Sequence, residues 1–135
     1  MSNDTSNIGE YFGVGIDITD VARIKKMLDN YGRTFIERTF TEAEITYCEK
    51  FAQPEIHFAA RFAAKEAMVK ALGTGFSDGI SLKSVSVENH PQTSAPIAVL
   101  NDVAKERMQS LGAKKMLISI THLKDYAQAI AILSK

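Results

Sequence analysis

A chain of 135 residues has the size of one domain, and 45% hydrophobic with 24% charged residues is globular rather than disordered composition. Sixteen Lys and Arg balance sixteen Asp and Glu, so the positive surplus that general binding to nucleic acid or an anionic membrane would need is missing. The single cysteine, Cys48, excludes an internal disulfide framework and the cysteine-rich zinc sites, and points to a reducing, cytoplasmic compartment.

No apolar stretch is long enough to cross a bilayer, and Met1 to Gly9 has neither the basic patch nor the apolar run of a signal peptide. Residues 1–10 are expected to be a flexible lead-in to one domain over 11–135. Tyr11 to Ile18 mixes aromatic and β-branched residues with two glycines and predicts a mostly buried strand. Asp20 then opens a helix with apolar positions at Val21, Ile24, Leu28 and Tyr31, stopped by Gly32. Thr41 and Glu44 have capping-box spacing, which predicts a short helix to about Phe51. Beyond Pro54, Glu55 to Leu72 reads as a long helix ended by Gly73. Gly73 to Gly79 is a loop by composition. Ile80 to Glu88 alternates like a half-exposed strand, and Pro96 to Leu100 is a short one. Asn101 can cap a helix to Leu111, and Met116 to Thr121 with Tyr126 to Leu133 predicts an antiparallel hairpin. The order implies an α+β domain with an antiparallel sheet packed on a long central helix.

The residues richest in chemistry lie in Arg61 to Lys70 (RFAAKEAMVK), where four charges interrupt a helix that is apolar on nearly every side. At about 100° per residue, Arg61 and Lys65 share one stripe, and Glu66 and Lys70 another. On an exposed helix such i,i+4 neighbours are worth only about 0.2–0.5 kcal/mol. On a buried helix the charges need partners, which a subunit interface or a ligand's phosphates with a metal would supply. Asp17 similarly breaks the apolar run Val14, Ile16, Ile18, while Thr19 and Asp20 are better placed to cap the next helix. Paired with Glu66, a buried Asp17 would make an oxygen-only site suited to Mg²⁺, completed by water and phosphate oxygens.

His122 ends a strand beside Ser119 and Thr121, which suits either a ligand-facing strand end or an ordinary polar turn. His57 and His90, near Pro54 and Pro91, read as surface residues. Two glycine pairs are discounted. Gly13-Val14-Gly15 starts like a dinucleotide fingerprint but has Ile18 at the sixth position, and Gly73-Thr74-Gly75 follows a helix instead of preceding one. Arg23, Lys26 and Met27 flank the core stripe of the first helix, within a basic run that also holds Lys25, Arg33 and Arg38 against Asp29 and Glu37. Such a run is either a solvated face or, with an exposed Met, a surface for an acidic helix.

Together the segments GVGIDITDVARI (Gly13 to Ile24), FIERTFTEAE (Phe35 to Glu44), FAARFAAKEAMVKALGTG (Phe58 to Gly75) and SITHLKDYAQAIAIL (Ser119 to Leu133) resemble the holo-acyl-carrier-protein synthases, small bacterial phosphopantetheinyl transferases. The resemblance spans nearly the whole chain in family order. It implies a 4'-phosphopantetheinyl transferase-like fold and transfer of the 4'-phosphopantetheine arm of coenzyme A to a serine of an apo acyl carrier protein, releasing adenosine 3',5'-bisphosphate, in support of fatty acid biosynthesis. By the same resemblance Asp17 and Glu66 are the Mg²⁺ ligands, and Glu66, Lys70 and His122 form the catalytic set. Lys70 and His122 would meet the coenzyme A diphosphate, with Arg61 and Lys65 in the same environment. Arg23, Lys26 and Met27 would dock the carrier protein, and a homotrimer would build its active sites across subunit boundaries. Neither nucleic acid nor membrane is an expected partner. The chain departs from the family pattern at Ser94-Ala95-Pro96, where Gly-x-Pro is usual, and at Leu123 after the histidine. A silent binding module or a metal-dependent phosphohydrolase are the competing classes. The first would be expected to lose a carboxylate or the lysine, and the second has no use for a basic docking helix.

Overall fold

The computed structural model describes residues 11–135, so the expected lead-in over 1–10 lies outside the described residues. Five strands and five helices follow in the order β1 (Tyr11–Asp20), α1 (Val21–Tyr31), α2 (Arg33–Thr39), α3 (Glu42–Cys48), α4 (Pro54–Leu72), β2 (Val85–Asn89), β3 (Pro96–Leu100), α5 (Asp102–Ser110), β4 (Lys115–His122) and β5 (Tyr126–Ser134). This is the α+β architecture that the order of patterns implied. Strands β1, β5 and β4 form an antiparallel sheet in that order, and β2 and β3 form a separate antiparallel pair. Helix α4 lies across the three-stranded sheet, packed chiefly on β1 and β5.

The approach of α4 to β1 is set by small residues. Ala59, Ala60, Ala63, Ala64, Ala67 and Ala71 are all buried, so α4 has little side-chain bulk to keep other elements at a distance. A Cβ added at Gly15 would fall 1.9 Å from the Ala67 carbonyl oxygen, and one at Gly13 would fall 2.1 Å from that of Ala71. The two glycines thus serve a backbone-on-backbone contact between strand and helix, not a nucleotide loop.

That contact corrects the expectation for β1. With a side-chain period of two, Gly13, Gly15, Asp17 and Thr19 face α4, and the bulky Val14, Ile16 and Ile18 face outward, Ile16 being 55% exposed. The strand is half-exposed rather than mostly buried. Across the sheet, Ile16 pairs with Ile130 and Val14 with Ile132, and Leu117 stands opposite Ile132 on β4. An apolar sheet face with Val14, Ile16, Ile18, Leu117 and Ile130 exposed results.

Other boundaries follow from local bonding. The α3 capping box forms as expected, with Thr41 and Glu44 exchanging side-chain-to-backbone bonds, but the helix ends at Cys48. Helix α2 was not anticipated; Gly32, at φ 51°, ends α1 and lets α2 begin at the next residue. The strand expected from Ile80 begins only at Val85, because Ile80 to Ser84 is spent on turns in which Ile80 N–H donates to Ser77 and Ser84 N–H donates to Ser81. Tyr31, assigned to the α1 core stripe, is 59% exposed, one turn beyond Leu28 where α1 leaves the core. No helix among the described residues is long and apolar enough to cross a membrane.

Candidate active site

Three of the expected residues converge where β1 crosses the C-terminal half of α4. Asp17 is brought there by its inward register on β1, and Glu66 and Lys70 by their one-turn spacing on α4. The Lys70 ammonium donates to the Ile16 carbonyl at 3.0 Å and to Asp17 Oδ1 at 3.3 Å, while Thr19 Oγ1 donates to Asp17 Oδ2 at 2.8 Å. Asp17 is largely covered, whereas Lys70 is half-exposed. The Glu66 carboxyl is held above the usual carboxylate range, first by burial and then by the negative charge of Asp17; Lys70 and Arg23 act in the opposite sense. A carboxyl whose ionisation is opposed by burial and by a second carboxylate is a site that a hard cation would relieve, and oxygen donors fit Mg²⁺. Among the described residues no third His, Cys, Asp or Glu joins them, so remaining coordination positions would be left to water and ligand oxygens.

Arg61 and Lys65, on the opposite stripe of α4, do not share that site. Lys65 is wholly buried and its ammonium donates to Glu44 Oε1, itself wholly buried, over the ring of Phe40. Burial pushes the Lys65 ammonium below its ordinary range, and the adjoining Glu44 carboxylate opposes this. Glu44 also accepts from the Val87 and Thr41 N–H groups, each at 2.9 Å, so the pair ties α3, α4 and β2 together. The expectation that Lys65 faces coenzyme A is therefore corrected: its charge is spent inside the fold. Arg61 is also buried. It donates to Asn89 Oδ1 and lies 4.0 Å from the Tyr47 ring centroid, leaving its Nε without a partner. Tyr47 and Asn89 line a surface cleft of about 470 Å³ together with Lys50 and Glu42.

His122 stands exposed at the end of β4, and its neighbour is His57 of α4, with ring centroids 5.5 Å apart. His57 and Glu66 are nine residues apart on α4, about 13 Å at 1.5 Å per residue, so within one chain His122 does not join the carboxylates. The surface reading of His57 is corrected as well: the residue is half-buried and stacked on Phe51. His90 is a turn residue whose Nδ1 accepts from the Gln92 and Thr93 N–H groups. On α1, Arg23 and Lys26 are exposed, but Met27 is half-buried against the core instead of free. Arg23 also lies 5.7 Å over the Phe62 ring, which links the outer face of α1 to α4 beside Glu66.

The sequence does not single out Tyr47, and it shows Phe51 only as a helix end and His57 only as a surface residue. The capping box disclosed Glu44 as a helix-start residue, but its second bond, to a lysine 21 residues on, has no local signal.

The described residues thus form a small α+β domain with two carboxylates and a lysine at a strand–helix crossing and an exposed histidine at a hairpin end. The family description of the 4'-phosphopantetheinyl transferase superfamily matches residues 13–131. The holo-[acyl-carrier-protein] synthase of Maridesulfovibrio salexigens is 46% identical over 123 residues, covering 91% of this chain and 98% of its own. That of Syntrophus aciditrophicus is 41% identical over 121 residues, covering 90% and 94%. The crystal structure of the Neisseria meningitidis holo-[acyl-carrier-protein] synthase superposes with a TM-score of 0.84 at 26% identity, over 93% of this chain and 99% of that one. The Helicobacter pylori enzyme, solved in complex with coenzyme A, gives 0.77 at 30% identity, over 90% and 99%. The chain belongs to the 4'-phosphopantetheinyl transferase superfamily, with the holo-acyl-carrier-protein synthases as its relatives.

Proposed function

We propose that the protein is a Mg²⁺-dependent holo-acyl-carrier-protein synthase, moving 4'-phosphopantetheine from coenzyme A to a serine hydroxyl of an apo acyl carrier protein and leaving adenosine 3',5'-bisphosphate. Identity above 40% with synthases over nine-tenths of the chain supports the reaction, as does the coenzyme A complex of the Helicobacter relative. The observation that carries it is the meeting of Asp17, Glu66 and Lys70.

Attack on the β-phosphorus builds negative charge on its oxygens, so positioning and electrostatic stabilisation do most of the catalytic work. Asp17 and Glu66 would hold the metal, which when bound neutralises diphosphate charge. Lys70 is already aimed at this point: its ammonium rests on Asp17 and the Ile16 carbonyl and is exposed enough to swing to a phosphate oxygen. The serine hydroxyl must give up its proton as it attacks, and Glu66, at the same strand–helix crossing, is a carboxylate placed to accept it. Arg61, with a buried Nε that lacks a partner, is suited to an anionic group of coenzyme A reaching in past Tyr47.

The assembly we infer is a homotrimer. An exposed apolar sheet face asks to be covered, and the distance along α4 between the His122 end and Glu66 calls for the partner's His122 to complete each site. The exposed Arg23 and Lys26, beside Met27, would steer an acidic carrier protein towards the Glu66 end of α4. A cytoplasmic role in fatty acid biosynthesis follows from the same reading. Incubating the protein with coenzyme A, Mg²⁺ and an apo carrier protein, then weighing the carrier, tests it. A carrier that gains the phosphopantetheine mass only when all components are present supports the reading. An unchanged carrier with coenzyme A consumed would instead mean hydrolysis, and an unchanged carrier with coenzyme A intact would mean binding alone.

A further inference from the structure

His57 is left unused by the reaction as proposed, yet it is built into the fold with care. It lies in the first turn of α4, half-buried, with its ring parallel to that of Phe51 at a centroid distance of 3.6 Å and a 17° angle between planes. Tyr47 stands edge-on to both, 5.2 Å from Phe51 and 6.2 Å from His57. The remaining side of His57 meets the His122 ring, 5.5 Å away and steeply tilted at 71°. His122 is otherwise exposed at the strand end, so the His57 ring is a wall against which it rests. Burial lowers the His57 imidazole below its usual range, and His122 and Arg61 act in the same sense against the weaker pull of Glu55. Burial and the neighbouring His122 and Arg61 thus favour the neutral ring.

We propose that His57 is a positioning residue for His122: the Phe51–His57 stack holds the His122 imidazole in the orientation in which it meets the phosphates of coenzyme A. This rests on the reading that His122 contacts coenzyme A. The contribution of an edge-on aromatic pair sets the expected size, about fivefold in an affinity.

The test uses the full-length protein with the substitutions His57→Ala, His57→Phe, Phe51→Ala and His122→Ala. His57→Ala should raise KM for coenzyme A about fivefold, with KM for the carrier protein and the melting temperature little changed. His57→Phe keeps a flat ring on Phe51 and should restore coenzyme A binding; a nuclear Overhauser contact between residue 57 and His122 should persist in it. Phe51→Ala removes the stack from its other side and should reproduce the His57→Ala loss, which keeps the inference testable if His57→Ala folds poorly. Equal losses for both substrates, or a Phe variant as poor as the Ala variant, would overturn it. So would an unchanged KM in His57→Ala beside a raised one in His122→Ala. If His122→Ala itself binds coenzyme A normally, the assignment of His122 fails, and the inference falls with it.

Discussion

Replacing Lys65 by Met removes one charge from the centre of the fold at nearly constant side-chain length. Lys65 and Glu44 are both 0% exposed and bonded to each other, so Met leaves the Glu44 carboxylate buried with only the Thr41 and Val87 N–H groups and the Thr41 hydroxyl to stabilise it. Breaking a buried pair from one side costs about 3–5 kcal/mol, far above the 0–1 kcal/mol or so of a surface pair such as Lys25–Asp29. At about 3 °C per kcal/mol for a domain of this size, the melting temperature should fall by about 9–15 °C. Urea unfolding followed by circular dichroism should show a lower midpoint with the same slope. Lys65→Met/Glu44→Gln removes the stranded charge and keeps one acceptor for the backbone donors, and should recover most of the loss. A loss below about 1 kcal/mol in Lys65→Met would refute the reasoning, since the pair would then behave as a solvated one.

Gly15→Ala puts a methyl group into the Ala67 carbonyl, so β1 must move off α4. Because Asp17 travels with it, activity should fall about a hundredfold, as a misplacement near 1 Å can cause, and near-wild-type kinetics would contradict the close contact. Glu66 carries a raised folded-state pKa, so its contribution to stability is fully present below the unfolded value of about 4.5 and is lost as pH rises through the folded value. Glu66→Gln should therefore melt higher than wild type at pH 7, with the difference fading in thermal scans below pH 4.5. The Cys48 thiol is buried and pushed up to about 12, chiefly by burial, so a thiol reagent at pH 8 should label it only at the rate of unfolding; rapid labelling of the native protein would contradict its placement.

The long elements were legible because they announce themselves locally. Asn101 and Thr41 cap where their spacing says, Gly73 at φ 75° ends α4, and the hairpin of β4 and β5 follows from two β-rich runs around a short turn, Leu123 to Asp125. The direction in which β1 faces was not legible from hydropathy. Its bulky residues point outward because α4 approaches too closely for anything but Gly, Asp and Thr, and that distance depends on alanines more than 40 residues away. Asp17 and Glu66 stand out in the sequence as charges within apolar segments, and the structure brings them near each other, although Asp17 is covered by the helix rather than by its own strand neighbours. The same reasoning grouped Lys65 with them, since an unpaired charge in a sequence looks alike whether its partner is a ligand or a glutamate on another helix. His57 reads as a surface residue because a histidine three positions after a proline carries no local sign of stacking; only the packing of α3 and β4 around the start of α4 reveals it.

The layout of α4 leads to one more consequence of the proposed assembly. Glu66 and Lys70 occupy its C-terminal half and the His57–His122 contact its first turn, so a site using both ends draws them from different subunits. Glu66→Gln and His122→Ala should each be nearly inactive alone, one lacking the carboxylate in every site and the other the imidazole. When the two are mixed after dissociation and allowed to reassemble, each site samples one Glu66 donor and one His122 donor independently. A site is intact when its carboxylate comes from the His122→Ala chain and its imidazole from the Glu66→Gln chain. In an equal mixture this occurs in about one quarter of sites, so activity should return to about a quarter of wild type in a cyclic assembly. Were each site contained in one chain, mixing would restore nothing, because no single chain in the mixture holds both groups. Simple dilution supplies the complementary measurement: wild-type activity per chain should fall as the oligomer dissociates, while helix content stays constant, because α4 is buried mainly by its own sheet.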